Sequence, residues 1–372
     1  MNILFIFSFK TSLKIWESSG ALKREFMYFE KLFMNNNIKH QLFTYGDFSD
    51  FNVTSTEYMT IYPLFSFFKK TNSKLYTFFL SLMFPFRVRH IFRNVDIIKV
   101  NQLSGAIVGL IFSIILKKPL YIRTGYDAYL FSKKDNKSFF KQLYYYTLTQ
   151  VSLLFCDIYS VTSHDDYEFI SNNYMFRKSK LLLRPNWVFI DTKNISQKRN
   201  NKTLLSVGRL ENQKNFEYLI NELQNTGFQL HIIGSGSLKK HLEEHAAAVG
   251  VNLEILERLN YEQLLEKLKS YQYFALPSTY EGNPKVLLEA MSSGCVVLAS
   301  NIPNHSEIIE DGVNGVLFEL QEGSLNRRLL KIHEQNKYLE KLSKNAFFEV
   351  QEKFSIENAA LVEYKDLKGL LS

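Results

Sequence analysis

The sequence predicts two doubly wound α/β domains, each a parallel sheet with helices on both faces. Three observations predict it. The 372 residues exceed one ordinary domain and make two the natural expectation. Short apolar runs alternate with helical segments of roughly 10–15 residues, the order that specifies a parallel sheet. A polar stretch, DTKNISQKRNNK at 191–202, breaks that order near the middle, and the pattern restarts after it.

The first strand, 2–9, is an almost continuous apolar run, as expected for a strand covered on both faces. A helix is predicted over 20–35, where Leu22, Phe26, Phe29, Leu32 and Phe33 fall at helical spacing. Further strands are predicted at 38–45, 96–101, 119–124, 157–163 and 181–186. The uncharged run 103–116, LSGAIVGLIFSIIL, is shorter than the roughly 20 residues a membrane-spanning helix needs. It reads as a buried helix packed on the sheet. After the polar break, strands are predicted at 203–208, 228–234, 251–256, 273–278 and 296–300. Helices alternate with them at 215–223, 237–250, 261–271 and 284–294, and the tail from 325 to 371 is mostly helical.

Composition supports this division, since 46% hydrophobic and 22% charged residues suffice for two buried cores. The two cysteines, Cys156 and Cys295, lie in apolar segments and read as reduced buried thiols. The apolar start MNILFIFSFK carries its first basic residue after the run, not before it, which is the wrong order for a secretory signal. The expected location is therefore cytoplasmic.

Charge is uneven. Residues 1–200 hold 27 Lys and Arg against 14 Asp and Glu, while the whole chain has a net charge of +8. The first half is thus expected to meet an anionic partner. No nucleic-acid motif accompanies the charge. In the stretch 62–93 basic residues alternate with aromatics, which reads first as core helices with solvated cations and, as the alternative, as peripheral docking on the anionic inner face of a membrane.

In open parallel sheets ligands bind beyond the C-terminal ends of the strands. Four loops of the second half sit there. The first carries Arg209 and Lys214 in GRLENQKN, a fork and a point charge suited to a diphosphate. The second is the turn with Gly234 and Gly236, and the third contains Glu257 and Arg258. The fourth, TYEGNP, leads into a helix. Asn283 is predicted as its N-cap and Pro284 as its first residue, with the backbone N–H groups near Lys285 and Val286 turned toward an anion. Glu281 precedes that helix and Glu289 lies within it, a span of about 12 Å at 1.5 Å per residue. This matches the reach from a sugar across a diphosphate to a ribose, and carboxylates accept hydrogen bonds from paired hydroxyls. Two exposed helix carboxylates would give the same spacing.

SVGRLENQKN, HIIGSGSL and ALPSTYEGNPKVLLEAMSSGCVVLASNIPNHSEII, in this order, resemble the family-4 retaining glycosyltransferases of GT-B fold, of bacterial polysaccharide and lipopolysaccharide type. Glu281 and Glu289 match that family's Glu-x7-Glu signature. DIIKVNQLSGA, PLYIRTGYD, CDIYSVTS and RPNWV resemble its first domain more loosely, with Tyr126-Asp127 where the family often has His-Asp.

The resemblance implies two Rossmann-like domains facing across a cleft. These are an acceptor-binding domain at 1–192, a linker at 193–202, a donor-binding domain at 203–354, and a C-terminal helix at 355–372 crossing back to the first. It implies a nucleotide diphosphate sugar as co-substrate, expected to be a UDP-sugar, and a saccharide or polyprenyl-linked acceptor. No cofactor or metal is implied. Arg209 and Lys214 would stabilise the leaving diphosphate, and Glu281 would contact the donor sugar. The backbone of 282–284, with Gly282, would line the pocket, Glu289 would hold the ribose, and Gly20 would sit in a loop closing over the phosphates. The usual glycine of the base-binding turn is replaced near Glu257, so the resemblance does not name the base. A sugar-nucleotide epimerase and a non-catalytic sugar-binding protein are the rival readings.

Overall fold

The computed structural model describes residues 1–53, 56–175, 181–191 and 199–371. They form two compact units, Met1–Pro185 with Ala359–Ser372, and Asn186–Asn358.

The first unit contains strands β1 (Asn2–Ile6), β2 (Lys39–Thr44), β3 (Met59–Pro63), β4 (Ile97–Asn101), β5 (Leu120–Arg123), β6 (Ile158–Val161) and β7 (Leu181–Leu183). They form one sheet in the order β3-β2-β1-β4-β5-β6-β7, every pair parallel. Its helices are α1 (Leu13–Ser18), α2 (Leu22–Asn36), α3 (Lys74–Val88), α4 (Ala106–Leu116), α5 (Ala128–Lys134), α6 (Phe139–Phe155) and α7 (His164–Asn173). Ile3, Leu4, Phe5 and Ile6 of β1 are all fully buried, as a central strand covered on both faces requires. The apolar run at 103–116 becomes α4 against β4 and β5. A Cβ on Gly109 would stand 2.5 Å from Val100, so this glycine sets how closely the helix lies on the strand.

The second unit contains β8 (Asn200–Val207), β9 (Gln229–Ile233), β10 (Leu253–Leu256), β11 (Tyr271–Leu276), β12 (Val296–Ser300) and β13 (Val316–Phe318). Their order is β10-β9-β8-β11-β12-β13, again wholly parallel. The helices are α8 (Phe216–Glu222), α9 (Lys239–Ala248), α10 (Tyr261–Lys269), α11 (Lys285–Ser292), α12 (Pro303–Ser306), α13 (Ser324–His333) and α14 (Asn336–Lys353). The terminal helix α15 spans Ile356–Gly369, and its residues from Ala359 onward pack within the first unit.

That docking is polar as well as apolar. Glu363 of α15 pairs with buried Lys99 of β4 and accepts a 2.8 Å hydrogen bond from Tyr28 of α2. Arg184 meets Asp366 with two bonds of 2.6 and 2.7 Å.

Three expectations change. The helix predicted over 20–35 starts at Leu22, because Gly20 ends a separate helix, α1. With φ +69° Gly20 takes the left-handed turn, while Gly20 N bonds Glu17 O and Ala21 N bonds Trp16 O, a Schellman cap. The sheets also gain β3 and β13, which the apolar patterning did not mark. Of the expected linker, 193–198 lies outside the described residues, whereas Asn200 already belongs to β8. Both cysteines are free and buried, and burial pushes the Cys295 thiol up to about 12. Among the described residues no helix is long and apolar enough to cross a membrane.

Candidate functional site

In the second sheet the strand order reverses between β8 and β11, which are neighbours although β9 and β10 follow β8 in sequence. A sheet opens a crevice at such a reversal, beyond its C-terminal ends. The loops leaving β8 and β11 are those that carry Arg209, Lys214 and Glu281.

These loops are tied together. Thr279 N donates to Gln213 O at 3.0 Å, and Gln213 Nε2 donates to Tyr280 O at 2.8 Å. Lys214 and Glu281 form an ion pair, their side chains only 13% and 9% exposed. Ser278 Oγ adds a 2.6 Å hydrogen bond to Glu281 Oε1. A carboxylate so held is fixed in orientation and keeps the ammonium at the mouth of the crevice. Arg209 is different. Its side chain is 67% exposed and pairs with Glu211 at 2.9 Å.

The loop after β9 joins the same cluster. Leu210 N donates to Ser235 O at 3.0 Å and Leu238 N to Leu210 O at 3.1 Å. A Cβ on Gly234 would lie 1.9 Å from Gly208 O, and one on Gly236 would lie 2.5 Å from Leu210 O. Both glycines therefore permit backbone to pass against backbone, a local requirement that holds with or without a phosphate. The third loop, after β10, stays apart. Glu257 and Arg258 are exposed and make no hydrogen bond or ion pair among the described residues.

At α11 the sequence reading is shifted by one residue. Pro284, not Asn283, occupies the N-cap position, and helical residues begin at Lys285. The side chain of Asn283 is engaged elsewhere. Its Oδ1 accepts from Asn186 N at 3.1 Å, and Asn186 Nδ2 donates to Asn283 O at 2.6 Å. Asn186 thus clamps the entry to α11, and the Lys285 ammonium lies 4.8 Å from the centre of the buried Trp187 ring. The RPNWV segment was expected in the first domain, yet from Asn186 onward it belongs to the second unit. Gly282 is buried, Val286 half-buried, and Glu289 lies buried inside α11.

His305 was missed by the sequence reading, although it stands in the NIPNHSEII run. It is fully buried, and its Nδ1 lies 2.9 Å from Ser300 O, which can only accept, so Nδ1 carries the hydrogen. Ser300 Oγ in turn donates to Ser278 O at 2.6 Å, which links His305 to the residue that orients Glu281. Burial holds the imidazole pKa down at about 4, helped by Lys214, while the Ser300 carbonyl and Glu281 pull it upward.

In the first unit Asp127 is a buried N-cap. It accepts from Leu130 N at 2.7 Å and from Tyr174 OH at 3.1 Å, and burial raises its pKa. Tyr126 is exposed and stacks on Phe131. These contacts explain the Tyr126-Asp127 step as local structure.

The family described as Glycosyl transferases group 1 matches residues 189–347. The chain is 32% identical over 175 residues, 45% of each chain, to an uncharacterized glycosyltransferase of Methanocaldococcus jannaschii. It is 24% identical to an Escherichia coli UDP-Gal:alpha-D-GlcNAc-diphosphoundecaprenol alpha-1,3-galactosyltransferase, over 70% of this chain and 72% of that one. The alignments with the first two curated relatives cover 45% of those proteins' length. In fold, the chain resembles Anabaena HepE solved with UDP and glucose, at a TM-score of 0.77 and 17% identity over 99% of this chain and 100% of that one. The two parallel sheets are those of the GT-B fold, and residues 189–347 match the glycosyl transferases group 1 family.

Proposed function

We propose that the chain transfers a hexose or N-acetylhexosamine from a nucleotide diphosphate sugar, a UDP-sugar by preference, to a glycan or lipid-linked saccharide. The product retains the donor's configuration and serves cell-surface polysaccharide synthesis. The observation that carries this reading is the buried Lys214–Glu281 pair at the strand reversal of the second sheet, inside the group 1 family segment. The curated relative from Escherichia coli, whose name states a UDP-Gal donor and a diphosphoundecaprenol acceptor, supports the substrate class.

In this reading Lys214 and Arg209 meet the diphosphate and neutralise the charge that grows on it as the glycosidic bond breaks. No metal is needed for that step, because the two side chains and the N-terminus of α11 supply the positive potential. Glu281 accepts hydrogen bonds from the sugar hydroxyls and Glu289 from the ribose. The backbone of 282–284, with the N–H groups of Lys285 and Val286, lines the phosphate side. Gly234, Gly236 and Arg258 complete the donor pocket.

The test is a thermal-shift series with UDP, GDP, ADP and CMP, followed by product analysis with the stabilising donor. A ligand at 100 times its dissociation constant adds about 2.7 kcal/mol, a readable shift. Selective stabilisation by one diphosphate and an α-linked product from an α-linked donor are expected. No shift with any nucleotide overturns the reading. Stabilisation without transfer to any saccharide moves the sugar-binding alternative ahead.

A further inference from the structure

Helix α3 is apolar on both faces. Thr77, Leu80, Ser81, Phe84, Pro85 and Val88 are buried, and Phe84 stacks on Phe43 of β2 in the core. The opposite face carries Leu75, Tyr76, Phe79, Met83 and Phe86, all exposed, with Leu75 at 84%. At 100° per residue these five fall within one arc of about 100°, a full helix face. A soluble helix normally turns charge to water there, and a contiguous exposed apolar face marks an interaction site.

A second exposed apolar group stands beside it. Phe139, Phe140, Leu143 and Tyr144 at the start of α6 are exposed, Phe140 at 82%. α4 packs between α3 and α6 and exposes Ile114. The starts of α3 and α6 lie at one edge of the sheet. Phe78 meets Phe9 at 5.8 Å and Phe9 meets Tyr45 at 5.3 Å, while α6 runs back to the beginning of parallel strand β6 and so starts at the opposite, C-terminal edge. Phe9 and Tyr45 follow β1 and β2, so this is the C-terminal edge of the first sheet.

Charge identifies the occupant. From 58 to 95 the sequence has six Lys and Arg and no carboxylate. Lys69, Lys70, Lys74, Arg87, Arg89 and Arg93 of this stretch are all exposed. Lys133, Lys134, Lys137 and Lys141 flank the second group and are exposed as well. An apolar face rimmed by cations fits the interface of an anionic bilayer, where rings enter the headgroup layer and ammonium groups meet phosphates.

We propose that the α3 face, extended by the start of α6, docks the first unit onto an anionic lipid bilayer. This sets the C-terminal edge of its sheet at the membrane surface. That a lipid-linked acceptor is met there rests on the transferase reading, whereas the docking itself does not.

The experiment is co-sedimentation of the full chain with phosphatidylglycerol/phosphatidylethanolamine vesicles and with phosphatidylcholine vesicles. Binding to the anionic vesicles is expected at least 10-fold tighter than to the neutral ones, weakened but not abolished by 0.5 M salt as roughly expected from screening over a few ångströms. Phe79→Ser/Phe86→Ser and Lys74→Glu/Arg89→Glu should each lose about 10-fold or more, by the apolar and the electrostatic contribution respectively. Phe348→Ser, which changes an exposed ring on α14 of the second unit, should bind as wild type. The proposal is overturned if the wild type ignores anionic vesicles or if Phe79→Ser/Phe86→Ser still sediments. It is equally overturned if the face instead closes a dimer, seen by light scattering, that the same variant dissolves. The nucleotide thermal shift of Phe79→Ser/Phe86→Ser reports the donor site separately, so loss of docking and failure of the transferase reading are told apart.

Discussion

Among the described residues each unit holds a lysine–glutamate pair in which both side chains are largely shielded, and the two pairs serve different ends. Lys99 and Glu363, 2% and 7% exposed, lie under α15 against the middle of the first sheet. Lys99 sits 5.6 Å from the centre of the Tyr121 ring and 5.7 Å from that of Tyr28, while Glu363 accepts from Tyr28. Burial lowers the Lys99 pKa and the partner carboxylate opposes that shift, while Tyr28 is pushed well above its usual value by burial and then by Glu363. Lys214 and Glu281 are slightly more open and lie past the strand ends, where the order of the second sheet reverses. A buried ion pair does not mark a functional site by itself. Its place relative to the sheet does.

Single and paired substitutions separate the two roles. The largest effect is expected from Glu363→Ala, which leaves a buried ammonium uncompensated at a cost of about 3–5 kcal/mol. Lys99→Met/Glu363→Leu should recover most of that stability and leave nucleotide binding unchanged, as denaturation and thermal shift would show. At the other pair the pattern inverts. Lys214→Met/Glu281→Leu should keep the fold yet lower the transfer rate about 10²–10³-fold, or about 3–4 kcal/mol in the barrier. Transfer at the wild-type rate would show this pair to be structural like the first.

This contrast also explains what was legible in the sequence. The strands before the site are long and apolar, so β8, β9 and β11 and the loops leaving them could be located from pattern alone. The Glu-x7-Glu spacing lies within 281–289 and is local. The Lys214–Glu281 pairing joins residues 67 positions apart, and nothing local encodes it. The Asn186 clamp on Asn283 spans 97 positions, and it took from Asn283 the capping role that its residue type suggested. Gly20 read as the start of a helix because 22–33 has strong helical periodicity, whereas α1 has only six residues and no such signal. β13 has three residues, and β3 follows residues with no clear alternation, so neither produced a period to count. The aromatic–basic stretch 62–93 left two readings open, and only exposure shows that α3 has an outward apolar face in addition to its core face.

Acid should bear on the second unit through His305. Its folded pKa is about 4, below the usual 6.5, so the neutral ring favours folding fully above pH 6.5. That contribution is lost as pH falls from 6.5 through 4, and amounts to about 3 kcal/mol over this window. His40 in the first unit has the same sign, with burial lowering its pKa to about 3. The units can be read separately because the two tryptophans are divided between them, Trp16 in one and Trp187 in the other. In a Trp16→Phe background, Trp187 fluorescence should show His305→Gln losing much less stability between pH 7 and pH 4 than its parent. Parallel acid profiles would remove His305 as the cause.

The smallest effect is expected at the clamp, and it bears on how the site is built. Asn186 makes two hydrogen bonds to Asn283, one from its backbone N and one from its side chain. Asn186→Ala removes only the second, worth about 1 kcal/mol. The backbone bond holds the segment in place, so the fold should persist with a small loss of stability. Its consequence should appear in the donor, because the residues entering α11 are those assigned to the phosphate side. A loss of about 1 kcal/mol in positioning corresponds to roughly a 5-fold weaker donor interaction. This should raise KM for the nucleotide sugar while kcat changes little, the mark of an interaction equally present before and during reaction. A fall in kcat with KM unchanged would instead place the clamp's effect in the transition state, and α11 would then act on the leaving group through its orientation as well as its binding.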